Sequence, residues 1–367
     1  MQPDDVALSG AAQVSPRHGG RRRVTMKDVA AHAGVSRATV SLVVRDSPQI
    51  PAETKVRVRR SMEQIGYVYD HRAAVMRSDR TMTMGLVVTD VRNPYFAELT
   101  MALQTRLQES GFALITGYSL DDQEREARLL EVMVQRRVDG VFVIPSKTTT
   151  SDALNRWLLT SGTPHVVIVR PIQNHEADYV AADNLRAAIL LGDHLAAEAC
   201  ETVAFLGGPP QSTVRSERER GLTESLGAHG IRFDRTLSIA STADRSGGVR
   251  AINQLLAGSP LPDAIACYND VVAFGVMEEL RRRGFEPGPD VAIGSFDDLY
   301  EAELNQPPLT SVATYPARVG HEAARILIER LDDPDAAAEQ LLISPRLSVR
   351  ESSTTRRRAT ASRETRS

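Results

Sequence analysis

The chain has 367 residues, of which 42% are hydrophobic and 25% charged, and its formal net charge is −3. This length and composition suit two or three globular domains, and the two cysteines, Cys200 and Cys267, exclude a disulfide framework. No apolar stretch approaches the ~20 residues of a membrane span or has the pattern of a secretion signal, so we expect a cytoplasmic protein without membrane contact.

The charge is unevenly distributed along the chain. Residues 21–80 contain 13 Lys or Arg and 6 Asp or Glu, a net charge of +7, whereas residues 81–367 carry −9. A basic segment ahead of an acidic body is typical of a separate module that binds a polyanion. A solvated basic arm would give the same pattern, so charge alone leaves both interpretations open.

The amino-terminal region predicts a short helical module. Residues 1–22 are rich in Gly, Ser, Pro and Ala, which predicts disorder, and residues 23–69 are expected to form a helix-turn-helix domain. Thr25 is a predicted N-cap with Asp28 in the first turn, and Gly34 is expected to end this helix in a left-handed conformation. Ser36 is a second N-cap, so only a short turn separates the two helices.

The second helix, "RATVSLVV", has two different faces. Val40, Val43 and Val44 are expected to pack on Val29 and Ala33 of the first helix. Its other face carries Arg37, Ala38, Ser41, Leu42 and Arg45. Such a face fits the major groove of DNA, where an arginine can donate two hydrogen bonds to guanine and apolar side chains can contact thymine methyl groups. A small surface helical pair with harmless exposed residues is the alternative interpretation.

Two further helices are predicted before the body begins. Pro51 suits a first helical position, and Val56, Met62 and Ile65 are expected to face a core. Residues 70–82 are predicted to form a short helix and a linker. That helix is too short to be stable alone, because helix nucleation is costly, and so it requires a partner.

From residue 83 to residue 352, β-rich runs alternate with amphipathic helical stretches. The runs start near residues 84, 112, 138 and 165, and a second series starts near residues 202, 236, 264 and 291. This alternation predicts an α/β protein with parallel sheets flanked by helices, in two similar subdomains. The first is expected to comprise about 83–183 and 314–340, and the second about 184–313 and 341–352. We expect crossings near Asp183, Asp298 and Tyr315, followed by a disordered tail at 353–367.

Polar residues follow several of the predicted strands. In open α/β sheets, ligands bind at the carboxyl ends of the strands, which predicts a ligand cleft between the two subdomains. These ends carry Asp90, Tyr118, Asn269–Asp270 and Asp297–Asp298.

The sequence offers no catalytic constellation. The segment "GGPP" at 207–210 follows a strand but lacks the Lys–Ser/Thr of a phosphate-binding loop. His194 and Glu198 lie four residues apart on a predicted helix, but without a third ligand they are weak indicators of metal. We therefore expect no enzyme activity, no cofactor and no metal.

The sequence resembles the lactose-repressor (LacI) family of bacterial transcription regulators. The similarity runs from about residue 24 to residue 350, with "VTMKDVAAHAGVSRATVSLVV" and "IPAETKVRVRRSMEQIGYVY" in the head. The body carries "GLVVTDVRNPYFAEL", "AADNLRAA", "CYNDVVAFGVMEELRRRG" and "GSFDDLYEAELNQPPLTSV" in the family's order. The resemblance implies a helix-turn-helix head on a two-subdomain, periplasmic-binding-protein-like body, and a homodimer that binds a near-palindromic operator.

The resemblance also implies individual DNA contacts. Base reading falls on Arg37, Ala38 and Leu42, where many members have Arg at the last position. Phosphate contacts fall on Lys27, Ser36 and Thr39. The hinge helix would place an apolar wedge in the minor groove. Met76 is the position that matches this wedge, with Ala73 beside it, and the remaining candidate DNA-binding residues are Thr25, Arg45 and Tyr67.

For the ligand, the resemblance implies contacts from Arg218, Asn269 and Asp297. Asp90, at a strand end, is a further candidate, and Phe296, next to Asp297, is a candidate stacking wall. The implied effector is a sugar or sugar derivative, held by directional hydrogen bonds. The chain departs from the family's pattern after the fourth strand, where it reads "HVVIVRP". Arg170 favours an anionic or phosphorylated ligand; alternatively, it forms a salt bridge at the subdomain interface. The sequence thus predicts a ligand-controlled transcriptional regulator, most simply a repressor, with a solute-binding protein as the alternative.

Overall fold

The computed structural model describes residues 24–44, 46–67 and 80–354. Within these residues the chain forms two compact units, divided between Asp79 and Arg80. The predicted hinge helix lies outside the described residues, as do Arg45, Ala73, Met76, the segment 1–22 and most of the predicted tail.

The first unit is a three-helix module. Its helices are α1 (Met26–Ala33), α2 (Arg37–Val44) and α3 (Ala52–Ile65). Val29, Val40, Val43 and Val58 are at most 1% exposed and form the centre of its core. Val56 was expected in this core, but its side chain is 65% exposed, because the helical register turns Val58 inward instead.

The second unit contains two six-stranded sheets. The strands are β1 (Thr83–Val88), β2 (Ala113–Tyr118), β3 (Gly140–Val143), β4 (His165–Ile168), β5 (Asp178–Ala182), β6 (Val203–Leu206), β7 (Ser238–Ile239), β8 (Ala264–Cys267), β9 (Ala292–Asp297), β10 (Thr310–Ala313), β11 (Gln340–Ile343) and β12 (Arg346–Ser348). The strand order is β11-β5-β4-β3-β1-β2 in the first sheet and β12-β10-β9-β8-β6-β7 in the second. Neighbouring strands are parallel except for the antiparallel pair β10 and β12. The predicted α/β class with parallel sheets flanked by helices is confirmed.

Helices cover both faces of the first sheet. Val87 and Val88 are neighbours in β1 and belong to separate buried clusters, because successive strand residues point to opposite faces. In the second sheet the flanking helices share one continuous core. The helices of this unit are α4 (Pro94–Glu109), α5 (Gln123–Gln135), α6 (Ser151–Ser161), α7 (Asn184–Ala197), α8 (Thr213–Ala228), α9 (Arg245–Gly258), α10 (Asp270–Arg282), α11 (Tyr300–Leu304) and α12 (Pro316–Asp332).

The chain passes between the two subdomains at three places. It leaves the first sheet after β5 at Asp183, returns between β10 and α12 at 314–315, and leaves again between β11 and β12 at 344–345. The crossing expected near Asp298 is wrong, because the chain continues into β10 of the same sheet. Leu299 nevertheless packs in the core of the N-terminal subdomain, so this loop contacts both halves.

Two predicted boundaries also need correction. The N-terminal subdomain was expected to end at residue 340, but β11 pairs in parallel with β5 and extends it to Ile343. The tail was expected to begin at residue 353. Ser353 is instead fully buried, and its hydroxyl lies 2.7 Å from His194 Nε2 and 2.7 Å from Thr310 Oγ1.

Candidate functional site

The first helix of the head begins at a capping box. The Asp28 backbone N–H donates to Thr25 Oγ1 at 3.4 Å, and the Thr25 backbone N–H donates to Asp28 Oδ2 at 2.8 Å. The Thr25 hydroxyl also donates to Asp28 at 2.7 Å. The side chain of Thr25 is therefore occupied in fixing the helix start, and its DNA contact stays a prediction.

The turn between α1 and α2 is short and locally determined. Gly34 has φ 65°, a conformation that glycine adopts without the steric penalty of a Cβ atom, and its N–H donates to the Ala30 carbonyl. The Ser36 hydroxyl then accepts the Thr39 backbone N–H at 3.0 Å. The left-handed conformation of Gly34 and the Ser36 cap together fix the start of α2 relative to α1.

The outward side of α2 carries the residues predicted to read DNA. Arg37 and Ala38 are exposed, whereas Leu42 is half-buried. Val40 and Val43 occupy the opposite, buried side, as the sequence predicted. Lys27 and Ser36 are also exposed and Thr39 is half-buried, while Tyr67 packs against the core of the unit.

A cavity of about 60 Å³ lies between the two subdomains, at the carboxyl ends of their strands. Three of the predicted ligand residues line it, namely Arg218, Asn269 and Asp297. The other lining residues are Asn93, Tyr95, Phe96, Val169, Arg170, Ala182, Asn184, Val214, Ala243 and Tyr268.

Arg218, on α8, is the central cation of the cavity. Its Nε donates to Asn184 Oδ1 at 3.1 Å, and its Nη1 donates to the Tyr268 carbonyl. Its guanidinium lies 4.4 Å from the centroid of the Phe296 ring. These contacts hold a buried guanidinium in one orientation, and its Nη2 lies 3.6 Å from Asp297 Oδ1.

Asp297 ends β9 at an unusual backbone conformation, with φ 111°. The Thr314 hydroxyl donates to its carboxylate at 3.3 Å, and Asn93 of the other subdomain lines the cavity with Asp297 and lowers its pKa. Burial raises the pKa of Asp297 to about 6, although Arg218 acts in the opposite direction. The carboxyl is therefore an acceptor that contacts both halves of the cavity.

The remaining predicted ligand residues have different environments. Asn269 caps α10, because its Oδ1 accepts the Val272 N–H at 2.9 Å, and its Nδ2 donates to the Ala243 carbonyl at 3.3 Å. Phe296 does not line the cavity: it is fully buried in the core of the C-terminal subdomain, and Arg218 covers its ring. Asp90 is likewise absent from the lining. Hydrogen bonds from Arg92, the shortest at 2.5 Å, lower the pKa of Asp90.

Several lining residues were missed as ligand candidates. Asn93 caps α4 by accepting the Tyr95 N–H at 3.0 Å, and the rings of Tyr95 and Phe96 meet edge to face at 5.3 Å. The segment "VRNPYFAEL" indicates these residues as ligand candidates, since a capping residue followed by aromatic residues begins a helix at a strand end. Asn184 was missed because it is the first residue of α7 and resembles ordinary capping chemistry.

Among the described residues, no helix has the length and apolar character needed to cross a membrane. No group of three or more His, Cys, Asp or Glu side chains is arranged there to hold a metal ion.

Comparisons with known proteins bear on both units. Residues 25–70 match the family described as bacterial regulatory proteins, lacI family, and residues 192–353 match the periplasmic binding protein-like domain. The chain is 31% identical over 339 residues to the HTH-type transcriptional regulator CelR of Thermobifida fusca, covering 90% of this chain and 99% of that protein. It is 30% identical over 336 residues to the maltose regulon regulatory protein MalI of Escherichia coli, covering 89% and 98%.

A solved structure shares this architecture. The transcriptional regulator CelR–cellobiose complex is 31% identical, with a TM-score of 0.67, covering 90% of this chain and 100% of that chain. The predicted helix-turn-helix head and periplasmic-binding-protein-like body are thereby confirmed.

Proposed function

The chain belongs to the lacI family of bacterial regulatory proteins and is a DNA-binding transcriptional regulator, and we propose that it is a sugar-controlled repressor. In this proposal a dimer binds a near-palindromic operator in the cytoplasm. A sugar or sugar derivative in the cavity between the subdomains changes its operator affinity. The proposal assigns no catalytic step to the cavity.

The outward face of α2 supports the DNA-binding half of the proposal. Arg37 and Ala38 are exposed next to a helix start fixed by Ser36. A major groove admits one α-helix, and an arginine can donate two hydrogen bonds to guanine O6 and N7. Exposed Lys27 supplies a cation for a phosphate, a contact that fixes register without reading sequence.

The ligand-binding part of the proposal rests on Arg218 and Asp297, which lie beside each other at the cavity. Both side chains are 6% exposed, and a buried guanidinium beside a carboxyl offers donors and acceptors to adjacent hydroxyl groups. Asn269 has one further N–H beyond the bond to Ala243, which suits a third hydroxyl. The CelR relative with cellobiose supports a sugar in the same architecture.

The size of the cavity suggests how the ligand acts. Its volume of about 60 Å³ is small beside the ~300–1,000 Å³ of typical ligand pockets, so we infer that a sugar binds better when the subdomains lie further apart. Rotation at Asp183, 314–315 and 344–345 would change the angle between the two sheets. A ligand shifts this equilibrium only if it binds one arrangement better than the other, and in this proposal its contacts with Arg218 and Asp297 differ between the two arrangements.

A two-stage experiment tests the proposal. The full-length protein is used to select its operator from a random duplex library, and we expect enrichment of a near-palindromic site. Operator affinity is then measured with and without cellobiose, maltose, ribose and glucose. A change with at least one sugar supports the proposal, whereas selection of no sequence, or an unchanged affinity with every sugar, contradicts it.

A further inference from the structure

A second arginine lines the cavity from the N-terminal subdomain. Arg170 is 8% exposed and follows β4. Its backbone N–H donates to the Ile168 carbonyl at 2.8 Å, which closes a γ-turn around Val169 at φ 70°. A positive φ is costly for a β-branched residue, so the fold maintains strain to hold Arg170 in this place.

Asp121 is the partner that neutralises this arginine. Its Oδ1 accepts from Arg170 Nη1 at 2.5 Å and from the Lys147 backbone N–H at 3.0 Å. Leu120 and Asp121 have φ values of 53° and 61°. The backbone is therefore in the left-handed region at or next to both residues of the ion pair. Asp121 does not itself line the cavity.

The remaining donors of Arg170 are available to a ligand. Nη1 makes both of its hydrogen bonds to Asp121 and to the Pro145 carbonyl, the latter at 3.0 Å. Within the residues that the structure describes, Nε and Nη2 have no hydrogen-bond acceptor. Three N–H groups of a cavity-lining guanidinium thus remain for hydroxyl oxygens.

The charges of the cavity are balanced in pairs. Arg170 is paired with Asp121 in one subdomain, and Arg218 lies beside Asp297 in the other. Glu126 also interacts electrostatically with Arg170, in the same sense as Asp121. An anionic ligand would meet two carboxylates together with the two guanidinium groups, and it would gain little in return for its lost hydration.

We propose that Asp121 sets the charge selectivity of the cavity, restricting the effector to uncharged polyhydroxy compounds by neutralising Arg170. This inference rests on the proposed function, in which a sugar-type ligand occupies the cavity. It resolves the two interpretations of "HVVIVRP" in favour of a paired arginine, whose remaining donors bind hydroxyl groups.

The test compares neutral and anionic forms of the same sugars. Binding of glucose against glucose 6-phosphate, ribose against ribose 5-phosphate, and cellobiose against cellobionate is measured by calorimetry on the full-length protein. The variants are Asp121→Asn, which suits the left-handed backbone, and Glu124→Gln. Glu124 is the matched control, because it carries the same charge three residues away with a side chain 86% exposed.

We expect the wild-type protein and Glu124→Gln to bind only the neutral forms. Asp121→Asn should raise affinity for an anionic form relative to its neutral form by about tenfold or more, because it removes a unit charge beside a buried guanidinium. The double variant Asp121→Asn/Arg170→Gln should lose this gain. Its loss would show that the gain depends on the charge of Arg170, which Asp121 no longer neutralises, and not on a general loosening of the fold.

The inference stands only if three conditions hold. The wild-type protein must not bind an anionic form more tightly than its neutral form. Asp121→Asn must differ from Glu124→Gln in its relative affinity for the anionic form, and Asp121→Asn/Arg170→Gln must not retain the increased affinity. If sugars bind but any of these conditions fails, the charge assignment is wrong and the proposed function stands. If no sugar of either charge binds any variant, the sugar-controlled function itself is wrong, and the inference falls with it.

Discussion

Arg218 Nη2 and Asp297 Oδ1 lie 3.6 Å apart, a separation longer than a direct hydrogen bond, although both side chains are buried. Each is held by other groups: Arg218 by Asn184 and the Tyr268 carbonyl, and Asp297 by Thr314. The pair therefore retains hydrogen-bonding capacity that a ligand can use.

Asp297→Asn should reduce sugar affinity by about 10- to 100-fold, because hydrogen bonds to a charged group contribute about 1.5–3 kcal/mol. Asparagine keeps the shape and tolerates the positive φ of this position. Operator affinity without sugar should remain at the wild-type value. Calorimetry with the sugar and fluorescence anisotropy with the selected operator measure the two quantities.

The control for this variant is Asp152→Asn, which removes an exposed carboxylate from the first turn of α6. Its sugar affinity should not change. If Asp297→Asn keeps full sugar affinity, the ligand contacts lie elsewhere in the cavity.

Arg37→Ala should relax sequence preference at one base pair of each half-site, at a cost of about 1–3 kcal/mol in discrimination. The physical reason is that an exposed guanidinium at the start of α2 can make paired bonds to one guanine edge. Repeating the operator selection with the variant measures the change directly. An unchanged base preference would assign Arg37 to phosphate contact.

Lys27→Ala should behave differently, because a phosphate contact carries no sequence information. We expect weaker binding to all sequences in similar proportion, and a slope of log affinity against log salt that is smaller by about 1. Titrations of the selected operator and of a scrambled duplex at several salt concentrations provide the measurement. A loss confined to the selected operator would instead indicate base reading by Lys27.

The sequence predicted those features that depend on local pattern. Caps at Thr25 and Ser36 and the alternation of strands and helices are encoded over a few residues, so they could be recognised directly. The positions of β11 and β12 were not predicted, because β11 pairs with β5 and β12 pairs with β10, and these pairings depend on distant strands rather than on local pattern.

The residues of the cavity show the same difference between features encoded by local pattern and features set by distant contacts. Arg218, Asn269 and Asp297 were predicted, because polar residues at strand ends meet in this class of fold and the family resemblance marked them. The pairing of Arg170 with Asp121 was not, because it joins positions 49 residues apart and depends on a γ-turn at Val169. Phe296 was misplaced as a cavity wall because the sequence does not reveal that Arg218 lies over its ring.

Asp270 gives a pH prediction that is independent of any ligand. This fully buried carboxyl accepts the Leu299 N–H at 2.7 Å and the Ser311 hydroxyl at 2.6 Å, and a third bond comes from Ser295. Burial, with the nearby charge of Asp297, raises the pKa of Asp270 to about 7 from the ordinary value of 3.8. The folded state thus holds this proton more tightly than the unfolded state does.

The sign follows from that difference. A raised carboxyl pKa contributes stability at acidic pH that is lost as the pH rises through the folded-state value, since the unfolded chain releases the proton first. The contribution of Asp270 to stability should therefore fall between about pH 4 and pH 7, so the stability of the wild-type protein should decline relative to that of Asp270→Asn over this interval. Denaturant unfolding at pH 5, 6, 7 and 8 measures the difference, with Glu124→Gln as the exposed control. Parallel curves for wild type and Asp270→Asn would show that the carboxyl stays ionised throughout.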